Sequence, residues 1–577
     1  MNDIEVKLHD FETILIDHVN QDKLGGMGIA VIKAGEVVYS RCFGYADKEK
    51  KLPMTYDTLI DIASLSKAFT ATLLAIIIEE QDFDWNTPIR EYFPQMRFNH
   101  EFANKTLTLK DILSHRTGLP MHEQSWFLDE NLSPQKLLER LPYLEFSAEP
   151  RSKFMYTNVL YQCVIAIIEY YSGKEFPQFI RDNLFTPLKM DNTVVTFNEA
   201  LESGNFAKPY KISNGKLEEI DYFDQDIFGS TGVKSSLHDL TYWLQFHMGN
   251  GQFEGKEIIS TKNMKILHQP TIVMPEGGLA GIIYPTEHYS ELPSYALGWS
   301  IEMHRGHKLV AHSGKIDGFT SMISFMPHEE LGIIILSNED TLLKNEFIAL
   351  EMYDILLGLE PLDWFSKSNE LIRRIREQNN NGRDNIIEMR VPNTQPSLEL
   401  QGYIGTYQNP GYPHIKIVYD NGHLLLDTPR LRFKLEHIHF DTFLLSMPIS
   451  DLFIKLNFIF NTKGEISKFS AQFEESLPPI EFNKIIEDPP EEDLLKFTGI
   501  YDYFGDELII KVVNHALTGD SGYNSTFILE SSGKNKFRPK NSTGTEFVFV
   551  NPGNNRYDIK IVTIGQIIDV PRLGDLD

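Results

Sequence analysis

Ser64 and Lys67 stand three residues apart in DIASLSKAFT, residues 61 to 70. Positions i and i+3 share a face of a helix, which puts the lysine amine one turn from the serine hydroxyl. A neutral amine there can take the proton that a serine loses when it attacks a carbonyl. Burial or a neighbouring cation must keep that amine neutral, and a second polar group should stand close. The spacing alone is weak, because Ser133, Ser213 and Ser531 also precede a lysine by three. SNGK and SSGK are polar turns and SPQK resembles an ordinary N-cap. Only Ser64 opens a segment, SLSKAFTATLLAIIIEE, of helical length with apolar residues on nearly every side, as a helix in the centre of a domain requires. Taken by themselves, these residues fit equally well a Ser64 that caps the helix and a Lys67 that snorkels outward.

Two later segments bear on that choice. FMYTNVLY, residues 154 to 161, places Tyr156 and Asn158 two apart ahead of an apolar helix, and AHSGKIDGF, residues 311 to 319, places His312 and Gly314 in a predicted strand. Tyr-x-Asn recurs at Tyr407 and Tyr419, and His-x-Gly at His247 and His304, so a core tyrosine and a strand histidine would explain each segment alone. In this order and at these separations, however, DIASLSK, YTN and HSG resemble the three motifs of the serine β-lactamase and penicillin-binding protein superfamily. The tyrosine variant is that of class C β-lactamases and their esterase and D-aminopeptidase relatives, peptidase family S12. LKDILSHRTGLP at 109 to 120 and GSTGVKSSLHDL at 229 to 240 are similar to stretches common there, and the resemblance spans about residues 10 to 355.

The resemblance implies an α+β (α/β) β-lactamase/transpeptidase-like domain, an antiparallel sheet flanked by helices, and an acyl-enzyme formed on Ser64. Lys67 and Tyr156 would share the proton, with Tyr156 as phenolate. Asn158 would orient Lys67 and bond the substrate amide. The backbone N–H groups of Ser64 and Lys315 would form an oxyanion hole on an edge strand that Gly314 keeps open. His312 stands where many relatives have lysine. Histidine is cationic only part of the time near neutral pH, so it should hold a carboxylate less well. That turns the expectation towards a peptidase or amidase, D-aminopeptidase-like, or a carboxylesterase, ahead of a β-lactamase or D,D-carboxypeptidase. No cofactor or metal is implied. Two readings from other classes stay open: a protein acylated without turnover that acts as a sensor, and a lipocalin-like carrier with a silent N-terminal domain.

The rest of the chain must supply the elements that position these residues. MGIAVIKAGEVVYSRCFGYA, residues 27 to 46, reads as a hairpin turning at Ala34-Gly35. Helical segments follow up to about residue 250, with Ser236 and Asp239 spaced as a capping box. YALGWSIEMH, HKLVAHSG, FTSMISFM and LGIIILSN then read as successive antiparallel strands. We therefore expect a catalytic domain over residues 1–365 and a linker over 366–396, where EQNNNGRDN and VPNTQP are polar. PSLELQGYIGTY at 396 to 407 repeats as PEEDLLKFTGIY at 490 to 501. This predicts two small all-β barrels at 397–488 and 489–577. The resemblance to the D-aminopeptidase group, where such barrels can border the active-site entrance, implies that one loop from residues 399 to 577 limits the size of the substrate. His437, His439 and Asp441 are a weak zinc candidate within the first barrel.

The 577 residues carry a formal charge of -27, which argues against nucleic acid and anionic membranes as partners. A small molecule or short peptide is the expected partner, and a homo-oligomer is compatible with the sequence. Cys42 and Cys163 cannot build a disulfide framework. The acidic N-terminus does not read as a secretory signal. The expected setting is cytoplasmic, or periplasmic if a signal has been removed.

Overall fold

The computed structural model describes the chain except residues 1–2, 22–23, 131, 214–215, 276–290, 341–343, 361, 448–451, 486–488, 523–525, 534, 541, 543, 554–555 and 577. One eight-stranded sheet organises the N-terminal domain. Its strands are β1 (Met27–Lys33), β2 (Glu36–Phe43), β3 (Ile272–Val273), β4 (Glu291–Tyr295), β5 (Ser300–His304), β6 (His307–Ile316), β7 (Phe319–Met326) and β8 (Leu331–Ser337). They lie in the order β3-β4-β5-β6-β7-β8-β1-β2. Each described pairing is antiparallel, and the register Met27↔Ser337 joins the N-terminal hairpin to the last strand.

Strand side chains alternate between faces, and the core divides accordingly. Ile29, Val31, Ile333 and Ile335 pack under helices α1 (Asp3–Asn20) and α6 (Lys344–Leu357). Ala30, Ile32, Ile334 and Leu336 face the other core, which includes α2 (Ser66–Gln81), α3 (Asn158–Cys163), α4 (Ile165–Ser172) and α5 (Leu237–Met248). Ser66 to Ile78 of α2 are buried throughout, as the all-round apolar pattern requires. Among the described residues, no helix is long and apolar enough to cross a membrane.

Three local expectations are corrected. YALGWSIEMH is not one strand, because β4 ends at Tyr295, the chain turns with Gly298 at φ +81°, and β5 starts at Ser300. A Cβ at Gly298 would lie 3.0 Å from Lys67 O, so the turn packs directly on α2. Ser236 caps α5, but the Asp239 carboxylate accepts from Asn192 N and Thr193 Oγ1 instead of closing a capping box. Most of the supposed linker is helix α7 (Trp364–Glu388). Ion pairs one turn apart, Arg373–Glu377 and Arg374–Glu370, favour the helix. Only the stretch from about 389 to 399 is irregular.

Helix α7 is tied to the sheet through Asp354. Its buried carboxylate accepts from His304 Nε2 at 2.7 Å, Arg305 Nη1 at 2.6 Å and Trp364 Nε1 at 2.7 Å. Asp354→Ala leaves these donors facing a void, and the expected loss is about 3–5 kcal/mol. Urea unfolding checks it, with Asp354→Asn losing less, and an unchanged midpoint for the alanine variant contradicts it.

The first C-terminal domain is a closed barrel of eight strands between Gly405 and Ile485. The second is a nine-stranded, nearly closed sheet whose last strand, Arg572–Gly574, returns to pair with Gly499–Tyr503 after Pro571. The repeat is structural as well as sequential, for Tyr407 donates to Tyr403 O and Tyr501 to Phe497 O, each at 2.8 Å. The zinc candidate is not a ligand set. Asp441 is engaged by Ser397 and Tyr403, and His437 by Phe440 O. Among the described residues no group of three metal-ligating side chains exists.

Candidate active site

Ser64 lies in a 3-10 turn, Ala63–Leu65, just before α2, and is partly exposed. Lys67, on the first turn of α2, is fully buried. Its Nζ is 3.0 Å from Ser64 Oγ and 2.9 Å from Ser230 O. Burial pulls the amine down to about 7, although the charge of Glu123 works in the other direction. A neutral Lys67 donates one N–H to Ser230 O and keeps its lone pair for the Ser64 hydroxyl. Snorkelling is excluded.

Tyr156 OH is 3.0 Å from Ser64 Oγ, and Lys67 Nζ lies 4.8 Å from the centre of its ring. Three contacts between chain segments deliver it there. The buried Asp111 carboxylate caps the short helix Leu109–Leu113 and accepts from Arg116 at 2.6 Å and from Arg151 at 2.6 Å. Met155 N then donates to His115 O at 2.7 Å, and Thr157 N to His115 Nδ1 at 3.2 Å. The His115 ring lies 4.3 Å from that of Tyr156. Burial, above all, raises the Tyr156 phenol, so the expected phenolate is corrected to a protonated hydroxyl that donates to Ser64.

Two further expectations change. Asn158 Nδ2 donates to Glu123 Oε1 at 2.8 Å rather than orienting Lys67. The ring nitrogens of His312 are both occupied, Nε2 2.8 Å from Tyr295 OH and Nδ1 2.7 Å from Ser313 O. Burial first, then the charge of Lys67, lowers His312 to about 3. The histidine is therefore neutral and does not supply a part-time cation for a carboxylate. It belongs to a buried ring cluster with Tyr295 and His115, which is itself held neutral.

β6 runs beside the nucleophile. A Cβ on Gly314 would lie 2.2 Å from Ile62 O, so glycine is needed here for the close approach of strand and turn, not to leave room for a ligand. β5 begins at Ser300 opposite Ala311, so among the described residues β6 beyond Ala311 has no strand partner on that side. Ser300 Oγ donates to Ala311 O. Backbone groups two residues apart point the same way, so those of Ser313 and Lys315 face the open side. The Lys315 side chain is exposed.

The structure thus gathers Ser64, Lys67, Tyr156, Asn158, His312, Gly314 and Lys315 into one region. Sequence reasoning missed Glu123, His115, Tyr295 and Ser230. Of these, His115 and Ser230 lie in segments flagged for resemblance, whereas Glu123 and Tyr295 had no spacing signal.

A family model described as beta-lactamase matches residues 11–351, and one described as a domain of unknown function (DUF3471) matches 389–484. The chain is 27% identical over 449 residues to the unguisins hydrolase ungD′ of Aspergillus campestris, covering 73% of this chain and 79% of that one. It is 25% identical over 334 residues to protein flp of Staphylococcus aureus strain MW2, covering 57% and 62%. Among solved structures it is similar to the octameric penicillin-binding protein homologue from Pyrococcus abyssi, with a TM-score of 0.55, 21% identity, and coverage of 82% and 100%. That last likeness concerns the fold. Because the first of these models takes in more than half of its length, the chain belongs to the β-lactamase family of serine hydrolases.

Proposed function

We propose that the protein hydrolyses amide or ester bonds of small substrates through an acyl-enzyme on Ser64, as a peptidase or amidase of the D-aminopeptidase kind first and a carboxylesterase second. One observation carries this reading: the Ser64 hydroxyl lies 3.0 Å from both a buried amine and a half-buried phenol. Lys67 accepts the Ser64 proton as the oxygen attacks. The N–H groups of Ser64 and Lys315 hold the carbonyl oxygen as it becomes negative. Tyr156 gives its proton to the leaving group and is reprotonated through Lys67. Water then releases the acid, again with Lys67 as base. A neutral His312 supports amides and esters without a required carboxylate. The naming of one relative as an unguisins hydrolase also favours hydrolysis over storage. Cys42 and Cys163 are free thiols, which suits the cytoplasm.

Intact-mass spectra with D-amino acid amides, p-nitrophenyl esters and a β-lactam test the proposal. The wild type should show a transient acyl adduct together with product, and Ser64→Ala neither. A wild type without adduct or product overturns it. A stable adduct without product would identify an acylated sensor instead.

A further inference from the structure

Ala63, immediately before the nucleophile, has φ +47°, a left-handed conformation that a non-glycine residue keeps only when its surroundings impose it. One side chain does so directly. Asp61 Oδ1 accepts from Ala63 N at 2.9 Å. No step of the proposed reaction uses this carboxylate, yet it is deeply placed, with Asp61 3% exposed and Lys234 1%. The two residues face each other where the short strand Ile60–Asp61 pairs with Lys234–Ser235. Lys234 Nζ lies 3.7 Å from Asp61 Oδ2, which is a contact of charges and too long for a hydrogen bond. The ammonium donates to Gly232 O at 3.1 Å and to Val195 O at 3.5 Å. Burial works against the Asp61 anion, and the charge of Lys234 works for it.

The same partner segment supports the base. Ile62 N donates to Val233 O and Val233 N to Ser66 Oγ, each at 3.1 Å, while Ser230 O accepts from Lys67 Nζ at 2.9 Å. Residues 230 to 235 therefore grip the nucleophile turn at one end and the Lys67 amine at the other. Any slip of Lys234 against Asp61 moves the supports of Ser64 and Lys67 together.

We propose that Asp61 and Lys234 are positioning residues for the reaction at Ser64: the carboxylate holds the left-handed Ala63 that presents the hydroxyl, and the lysine fixes the carboxylate and the register that brings Ser230 O to Lys67. This rests on the reading of Ser64 as nucleophile. Both side chains are buried, so neither meets substrate. Their effect falls on the relative placement of hydroxyl and amine, and hence on kcat.

The test measures kcat and KM for p-nitrophenyl acetate per folded molecule, with the folded fraction taken from circular dichroism. Lys234→Met leaves a buried carboxylate without its cation, so kcat should fall by roughly 10²-fold while KM stays within about 3-fold. Asp61→Asn/Lys234→Met removes both charges and keeps an amide oxygen for Ala63 N, and kcat should return to within about 10-fold of wild type. Asp61→Ala/Lys234→Met has no acceptor and should stay low. Adding Ala63→Gly to it should raise kcat by about 5-fold or more, because glycine takes a positive φ freely. An unchanged kcat in Lys234→Met, or a loss that lies in KM, overturns the assignment. So does an asparagine double variant no better than the alanine one, or a glycine variant without gain, since the pair then serves only the stability of the fold. These last comparisons decide the matter even where Lys234→Met alone does not fold. The ester also leaves an acetyl group on Ser64, read by intact mass. A wild type without that adduct overturns the nucleophile and this proposal with it, whereas a wild-type adduct with variants as fast as wild type overturns the positioning role alone.

Discussion

Lys67→Arg should lower kcat/KM by at least roughly 10³-fold and abolish the acid limb of its pH profile. Arginine stays cationic at all working pH values, so it fills the volume and keeps a donor for Ser230 O but has no lone pair for the Ser64 proton. In the wild type, kcat/KM should rise with pH as the amine loses its proton near pH 7, since burial pulls Lys67 down to about 7. The groups around it fit that sign. Glu123 works to hold the proton, although burial raises it too to about 7, so that it ionises over the same range; Tyr156 is kept as a neutral phenol, and His115 and His312 are neutral. Removing the Glu123 anion should therefore move the limb to lower pH. An arginine variant with activity within 10-fold of wild type, or one that keeps the wild-type acid limb, would show that Lys67 is not the base.

The part of the site that follows from local geometry was legible in the sequence. Ser64 and Lys67 meet because a helix brings i and i+3 together, and an all-apolar helix has to be buried. The repeat was legible for a similar reason, since Tyr407 and Tyr501 each bond back four residues to a carbonyl. Protonation was not legible. A histidine in a predicted strand could be wet or dry, and only its burial in the folded domain, with the charge of Lys67 nearby, makes His312 neutral. Glu123 lay beyond reach because its importance comes from Asn158, Lys67 and a barrel that docks about 290 residues later at Tyr412. α7 was misjudged because the polar residues NNNG outweighed two ion pairs at i, i+4 that only a helix forms. The break after Tyr295 was signalled by Gly298, but a glycine inside an apolar run reads equally as a strand residue.

Gly314→Ala should cost activity far beyond what one methyl group suggests. The added Cβ would sit 2.2 Å from Ile62 O, 2.5 Å from Ser321 Oγ and 3.1 Å from Ile62 C. The nearest of these is backbone, which cannot rotate away as the end of a side chain can. Ser321 Oγ also donates to Ile62 O at 2.8 Å, so both obstacles are already bound to each other. Relief must come from separating β6 from the turn that carries Ser64, by an amount on the order of 1 Å. Such a displacement moves the hydroxyl relative to Lys315 N–H, and a misplacement of that size can cost about 10²-fold in rate. Overpacking should also destabilise the domain by about 1–3 kcal/mol. Because the damage is to relative position, kcat should fall more than KM rises, and the Lys67 limb should stay near pH 7. Ser321→Ala in the same background removes the movable obstacle and leaves the carbonyl, so it should recover little. Full recovery in that double variant would place the constraint at the serine, and an unchanged kcat in Gly314→Ala would mean that strand and turn do not approach as closely as this.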